Sequence, residues 1–225
     1  MGEDERAPIF QERPTARIAP EGWPLIIPPA LVLAIVLETG PALAALGFAV
    51  LTVFVIAFFR NPAREIPGDA STVVAPADGR VLAVGAIEDE RGRKGLRIAI
   101  FLSVFDVHVN RAPLAGRVVS LERGGKRFLA AWDPRGEREN VRLAMELELA
   151  DGRRIVVTQI TGLIARRIVC HAKVGEWLAR GVRYGLIRFG SRTDVLLPPG
   201  SAATVKVGDR VRGGASIIAR LGAPE

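Results

Sequence analysis

Residues 97–111 read RIAIFLSVFDVHVNR. The first part, Arg97 to Val104, is a compact apolar run of the length expected for a buried strand. It passes directly into Phe105-Asp106-Val107-His108-Val109-Asn110-Arg111, where polar and apolar residues alternate. That period predicts Asp106, His108 and Asn110 on one face and Val107 and Val109 on the other. Strand-like runs lie on both sides. Val73-Val74 and Val81 to Val84 flank a tight turn, Pro76-Ala77-Asp78-Gly79. Val141, Leu143, Met145, Leu147 and Leu149 are interleaved with Arg142, Glu146 and Glu148. Arg154 to Ile160 and Arg183 to Phe189 read similarly, and the tail TVKVGDRVRGGASIIARL reads as strand, turn, strand, turn, strand. Only Lys173 to Arg180 has the pattern of a short helix. The expectation is a β-rich α+β fold with a single domain over residues 60–225.

The chain has 225 residues, 49% of them hydrophobic, which is enough to bury a core and excludes a disordered polymer. Cys170 is the sole cysteine, so neither an intramolecular disulfide nor a cysteine zinc cluster can form. The two histidines, His108 and His171, cannot make a three-histidine site, and no metal is expected. The net charge is +7. It is unevenly spread: residues 60–225 carry 28 basic and 18 acidic residues, a net +10, whereas the tail of residues 1–23 is acidic. A basic domain suits anionic lipid headgroups. Nucleic acid is not expected, because the basic residues are scattered and no nucleic-acid motif is present.

Residues 24–59 carry one charge, Glu38. The run from Pro41 to Phe59 is 19 residues, which at about 1.5 Å per residue nearly spans the ~30 Å hydrocarbon layer. The run from Pro24 to Leu37 is shorter, and Glu38-Thr39-Gly40 between them reads as a polar turn. The segment is read as a helical membrane anchor, either a hairpin or one span preceded by a re-entrant piece. Arg13 and Arg17 precede it and Arg60 and Arg64 follow it, which for a hairpin puts the following domain on the cytoplasmic side of the cell (inner) membrane.

Three motifs carry polar residues among apolar strands. His108, between an acid and an amide, has the company that can orient a ring for proton transfer. Asp78 in Ala75-Pro76-Ala77-Asp78-Gly79-Arg80 has the ordinary chemistry of a turn. The third is Arg188-Phe189-Gly190-Ser191-Arg192-Thr193-Asp194, whose Gly-Ser pair does not fit the G-x-S-x-G elbow of hydrolases. His171, beside Cys170, reads as structural.

Taken in order, APADGRV, FDVHVNRAP and RFGSRTDVLLP resemble the phosphatidylserine decarboxylase proenzymes, and the flanking FFRNPAREIP and ITGLIARRIV are similar to their short prokaryotic branch. The resemblance spans roughly residues 58–220. It implies a pyruvoyl-dependent enzyme that cuts itself between Gly190 and Ser191, leaving a β chain of residues 1–190 and an α chain of residues 191–225. Ser191 would attack the Gly190 carbonyl, and elimination and hydrolysis would leave the pyruvoyl cofactor on residue 191. Asp78 and a histidine are implied to assist processing. The lipid amine would form a Schiff base with the pyruvoyl group, carbon dioxide would leave, and His108 would return the proton, giving phosphatidylethanolamine. Arg111 and Arg192 are the candidate substrate-binding cations, for phosphate and carboxylate. Longer members carry a second histidine where this chain has Arg111, and read Leu-Gly-Ser-Thr where it reads Phe-Gly-Ser-Arg; His108 must therefore serve processing, decarboxylation or both. The implied partners are the membrane, its phospholipid, the paired α and β chains, and a homo-oligomer of αβ units. Two other readings are a membrane-tethered carrier-like binding module, which lacks a lysine at its hairpin tip, and a pyruvoyl decarboxylase of another amine-bearing lipid.

Overall fold

In the computed structural model, residues 9–10, 17–89, 91–164, 167–188 and 190–223 are described. Most of the acidic tail with Arg13, and also Ala165, Arg166 and Phe189 of the motifs quoted above, lie outside the described residues. The chain divides into two compact units, Pro14–Ala63 and Met1–Arg13 with Arg64–Glu225.

The smaller unit holds two apolar helices, α1 (Trp23–Thr39) and α2 (Ala42–Phe58). A 3-10 turn at Pro20–Gly22 extends α1, so that Pro20–Thr39 is long and apolar enough to cross a membrane, whereas α2 is shorter. The order of the two segments by length is thus the reverse of the sequence expectation. Glu38 and Thr39 do not form a turn; they complete the last turn of α1, and the Thr39 hydroxyl donates to the Ile35 carbonyl. The ends of the pair are stitched together: the Ala19 N–H donates to the Phe59 carbonyl and the Asn61 N–H to the Arg17 carbonyl, both at 2.7 Å. Leu31, Ile35, Leu43, Leu46, Val50 and Val53 point outward, so these helices are apolar all round.

The larger unit is built of β1 (Thr72–Val74), β2 (Gly79–Glu88), β3 (Lys94–Leu102), β4 (Val109–Arg111), β5 (Gly116–Gly124), a short α3 (Gly136–Glu139), β6 (Arg142–Glu148) and β7 (Arg154–Thr161). There follow β8 (Ile168–Cys170), β9 (Trp177–Leu178), β10 (Arg183–Ile187), β11 (Ser191–Leu197), β12 (Ala202–Ala203), β13 (Arg210–Val211) and β14 (Ile217–Arg220). Eight of them form one antiparallel sheet in the order β13-β2-β3-β11-β7-β6-β5-β9; β1-β14-β12 and β4-β10-β8 form two smaller ones. Ile98, Ile100, Met145, Leu147, Ile155, Val157, Val195 and Leu197 alternate onto the face that packs the core. Before α1, Ile9 bridges to Trp177 and the Phe10 N–H donates to the Trp177 carbonyl.

The β-rich reading and its main strands are found, with two corrections. Lys173–Arg180 is not a helix: Gly175 and Glu176 bond to Val118, and Trp177–Leu178 pairs with β5. The alternation after β3 also fails. Ser103–Asp106 is a turn in which the Asp106 carboxylate accepts the Ser103 N–H, and extended pairing resumes only at Val109.

Candidate active site

Strand β11 lies between β3 and β7, and its first residue is Ser191. Ser191 sits opposite Leu102 on one side and Thr161 on the other, the last residues of those strands. The Gly-Ser junction therefore opens a central strand rather than closing one, and it lies at one end of the sheet. Ser191 is fully buried, and its Oγ has no hydrogen-bond partner among the described residues. A hydroxyl desolvated in this way costs about 1–3 kcal/mol.

The residue before it explains how the chain turns into the strand. Gly190 has φ +64°, a left-handed conformation that residues with a Cβ adopt only with strain. Its N–H donates to His108 Nε2 at 3.2 Å. The other ring nitrogen, Nδ1, is 3.0 Å from the Asp106 carbonyl oxygen, which can only accept, so the proton of the neutral ring sits on Nδ1 and the Nε2 lone pair faces Gly190. The turn of Ser103–Asp106 thus fixes both the position and the tautomer of His108. On the far side, a Cβ placed on Gly162 would lie 2.3 Å from the Gly190 carbonyl oxygen. The carbonyl of the Gly190–Ser191 bond is packed directly on the backbone that follows β7.

A buried polar patch continues along the same face. The Asn110 amide donates to Thr193 Oγ1 at 3.0 Å, and the Gln159 amide donates to Asn110 Oδ1 at 2.8 Å. Gln159 Oε1 is buried without a partner among the described residues. Asn140, also buried, fastens the preceding loop to the end of β7, donating to the carbonyls of Leu129 and Thr161.

The other expected residues fall in two further places. Asp78 is tied to the Gly213 N–H at 2.8 Å and to Arg64, with N–O distances of 2.8 and 3.1 Å. Arg111 donates from its backbone to the Pro76 carbonyl and from its guanidinium to the Gly181 carbonyl. Asp78 and Arg111 thus belong to one cluster, in which the Ala75–Gly79 turn is clasped by residues 213–216. Arg192 alternates to the sheet face opposite Ser191. There it forms a two-point pair with Asp194, both contacts 2.6 Å, and also meets Glu137. Burial pushes the Asp194 carboxyl up, with Arg192 opposing, and Arg192 is held above the ordinary arginine value because its two acids outweigh its own burial.

Gln159 and Gly162 were not singled out by the sequence. Gln159 had a signal, as the polar residue at a core-facing position of an apolar strand; Gly162 had none, because its importance comes from a contact across the fold.

Comparison with known proteins agrees with the geometry. The family model described as phosphatidylserine decarboxylase matches residues 51–219. A phosphatidylserine decarboxylase proenzyme of Pelobacter propionicus is 48% identical over 213 residues, covering 91% of this chain and 97% of the relative. Proenzymes of Citrifermentans bemidjiense (48% over 211 residues) and Burkholderia ambifaria (43% over 205) also cover 91% of this chain and 96% of their own lengths. With the buried serine directly after a left-handed glycine and a family match over most of its length, the chain belongs to the phosphatidylserine decarboxylase family.

Proposed function

We propose that the chain decarboxylates phosphatidylserine to phosphatidylethanolamine with a pyruvoyl group that it makes from its own Ser191. The observation that carries this is the desolvated Ser191 Oγ, without a partner among the described residues, directly after a glycine in a left-handed conformation. A hydroxyl in that state has given up its water and gained no bond, so attack on the adjacent carbonyl does not have to break one.

Self-cleavage would run as follows. Ser191 Oγ attacks the Gly190 carbonyl carbon, and the peptide C–N bond breaks as the Ser191 nitrogen takes a proton. The resulting ester links Gly190 to the serine oxygen. Loss of the Cα proton then expels Gly190 as a carboxylate, and water replaces the nitrogen of the remaining dehydroalanine, releasing ammonia. Gly162 leaves room for the carbonyl to stay where it is during the attack, and His108 holds the Gly190 N–H. Asp78 acts on processing through position, by fastening its turn to the Gly213 backbone of the future α chain.

The pyruvoyl carbonyl supplies the electron sink that decarboxylation requires. The surroundings suit it: β11 is held by two neighbouring strands, so residue 191 keeps its place after the cut. Once Gly190 is a chain end, its N–H no longer has to occupy His108 Nε2. That nitrogen can then hold the proton that returns to the substrate, with the ring still oriented from Nδ1 by Asp106. Of the two candidate arginines, Arg111 follows His108 on the same segment and is assigned the phosphate; Arg192 is engaged with Asp194 on the other sheet face.

The two helices are assigned to the inner membrane as a hairpin, with the catalytic unit in the cytoplasm. The N-terminal Ile9–Phe10 pairs with Trp177 of the catalytic unit, and the chain returns to that unit at Arg64, so both ends of the helical pair belong on one side. Arg17 and Arg60 flank it there.

Intact mass of the purified protein tests the reading. A fragment of residues 191–225, lighter by one ammonia than its serine-started mass, is expected, together with carbon dioxide release from phosphatidylserine. A Ser191→Ala chain should stay uncut; a normally cleaved variant would place the junction elsewhere.

A further inference from the structure

The site is deeply buried, yet its end of the sheet is edged by large apolar side chains turned to solvent. Phe105 lies in the turn leaving β3, three residues beyond Leu102, which pairs with Ser191. Leu163 and Ile164 follow Gly162 on the segment leaving β7, whose last residue also pairs with Ser191. Trp132 belongs to the loop before α3; its ring packs edge-on against Phe101 at 5.6 Å, and the neighbouring Ala131 side chain faces Gly162. These four residues are 63–75% exposed. Three separate chain segments therefore present apolar tips at the end of the sheet where the scissile bond lies. Scattered surface leucines need no explanation, but large apolar residues gathered round one site do.

We propose that these tips insert into the surface of an anionic lipid bilayer and seat the mouth of the site at headgroup level. Several features point to lipid rather than to a protein partner. The reaction's substrate is itself a bilayer component, whose serine headgroup must reach residue 191 while its acyl chains stay in an apolar phase. The apolar tips supply a surface continuous with that phase. Exposed Arg167 and Lys126 lie on two of the same loops, and residues 60–225 carry a net +10, complementary to anionic headgroups. The helical pair keeps the domain next to a membrane but cannot by itself decide which end of it meets the lipid; the tips can. The proposal rests on the phosphatidylserine reading for its substrate and is tested apart from it.

The probe is Trp132, with Trp23→Phe and Trp177→Phe leaving it the sole tryptophan of the full chain. In vesicles of phosphatidylglycerol and brominated phosphatidylcholine its fluorescence should be quenched and shifted to the blue, relative to vesicles without bromine. Unchanged emission would overturn the proposal whatever the protein's activity, and a doubled particle mass with Trp132 shielded would assign the patch to a second copy instead. Kinetics give the second arm. Leu163→Ser with Ile164→Ser should raise KM for bilayer phosphatidylserine about tenfold and leave turnover of dispersed short-chain phosphatidylserine unchanged. Equal effects on both substrates would overturn the proposal. A parent chain inactive on the short-chain lipid would instead count against the decarboxylase reading, with the quenching result standing on its own.

Discussion

In the proposed self-cleavage Ser191 and Gly190 divide the labour of one bond, and their neighbours indicate what each must keep. His108 accepts the Gly190 N–H through Nε2, a task another acceptor of similar reach can perform. His108→Gln is therefore expected to cut its chain at a rate near that of the parent and to lose decarboxylation by at least about a hundredfold, the usual scale of a general acid. His108→Ala should slow both. Gel kinetics of cleavage and carbon dioxide release from the processed protein separate the two effects; a fully active glutamine variant would remove the ring from the mechanism. Gly162→Ala places a methyl carbon 2.3 Å from the Gly190 oxygen, so the carbonyl must move. Its precursor should accumulate uncut while far-ultraviolet circular dichroism stays unchanged. The two cases mark how far a sequence can be read at this scale. His108 stood out because it is polar in an apolar context, whereas the demand on Gly162 comes from a residue 28 positions away.

At the scale of elements, β11 carries polar groups on both faces, and each face makes a different demand. On the core side, Thr193 receives the Asn110 amide, which is also held by Gln159. Thr193→Val keeps the shape and orphans a buried donor, which should lower stability by about 1–3 kcal/mol in denaturant titration, and the loss should shrink when Asn110 is already leucine. On the other side, Arg192→Met leaves Asp194 buried without its cation, a change of about 3–5 kcal/mol. The sign of its pH dependence follows from Asp194. Burial already raises this carboxyl in the folded protein, and loss of Arg192 raises it further. The folded variant then holds a proton that the unfolded chain has released. Its stability should therefore rise as pH falls through the folded value toward the ordinary carboxylate range, and be least above it. Melting temperatures across acid to neutral pH would show this. The alternation that predicts these strands was legible in residues 141–149 and 154–160. It misled after Val104, where Asp106 caps a turn; the helical pattern of Lys173–Arg180 misled as well, because bonds to Val118 draw that segment along β5.

For the whole molecule, the apolar block of residues 24–59 was plain from composition, but its division was not, because helix ends depend on local bonds such as that of Thr39 to Ile35. A chain lacking Pro20–Phe59 should leave the membrane pellet on a high-salt wash while the full chain stays; retention of the shortened chain would locate the anchor elsewhere. The placement of β11 has another consequence. As a precursor, the chain carries this strand between β3 and β7 by covalent connection on both sides, and its refolding is a first-order event. After the proposed cut, the same strand would belong to a separate 35-residue peptide that also carries β12, β13 and β14. Recovery from denaturant then becomes a meeting of two molecules, dependent on protein concentration and absent at high dilution. The mature enzyme would thus be durable only as long as it never fully unfolds: a molecule assembled once, in one piece, and used thereafter in two.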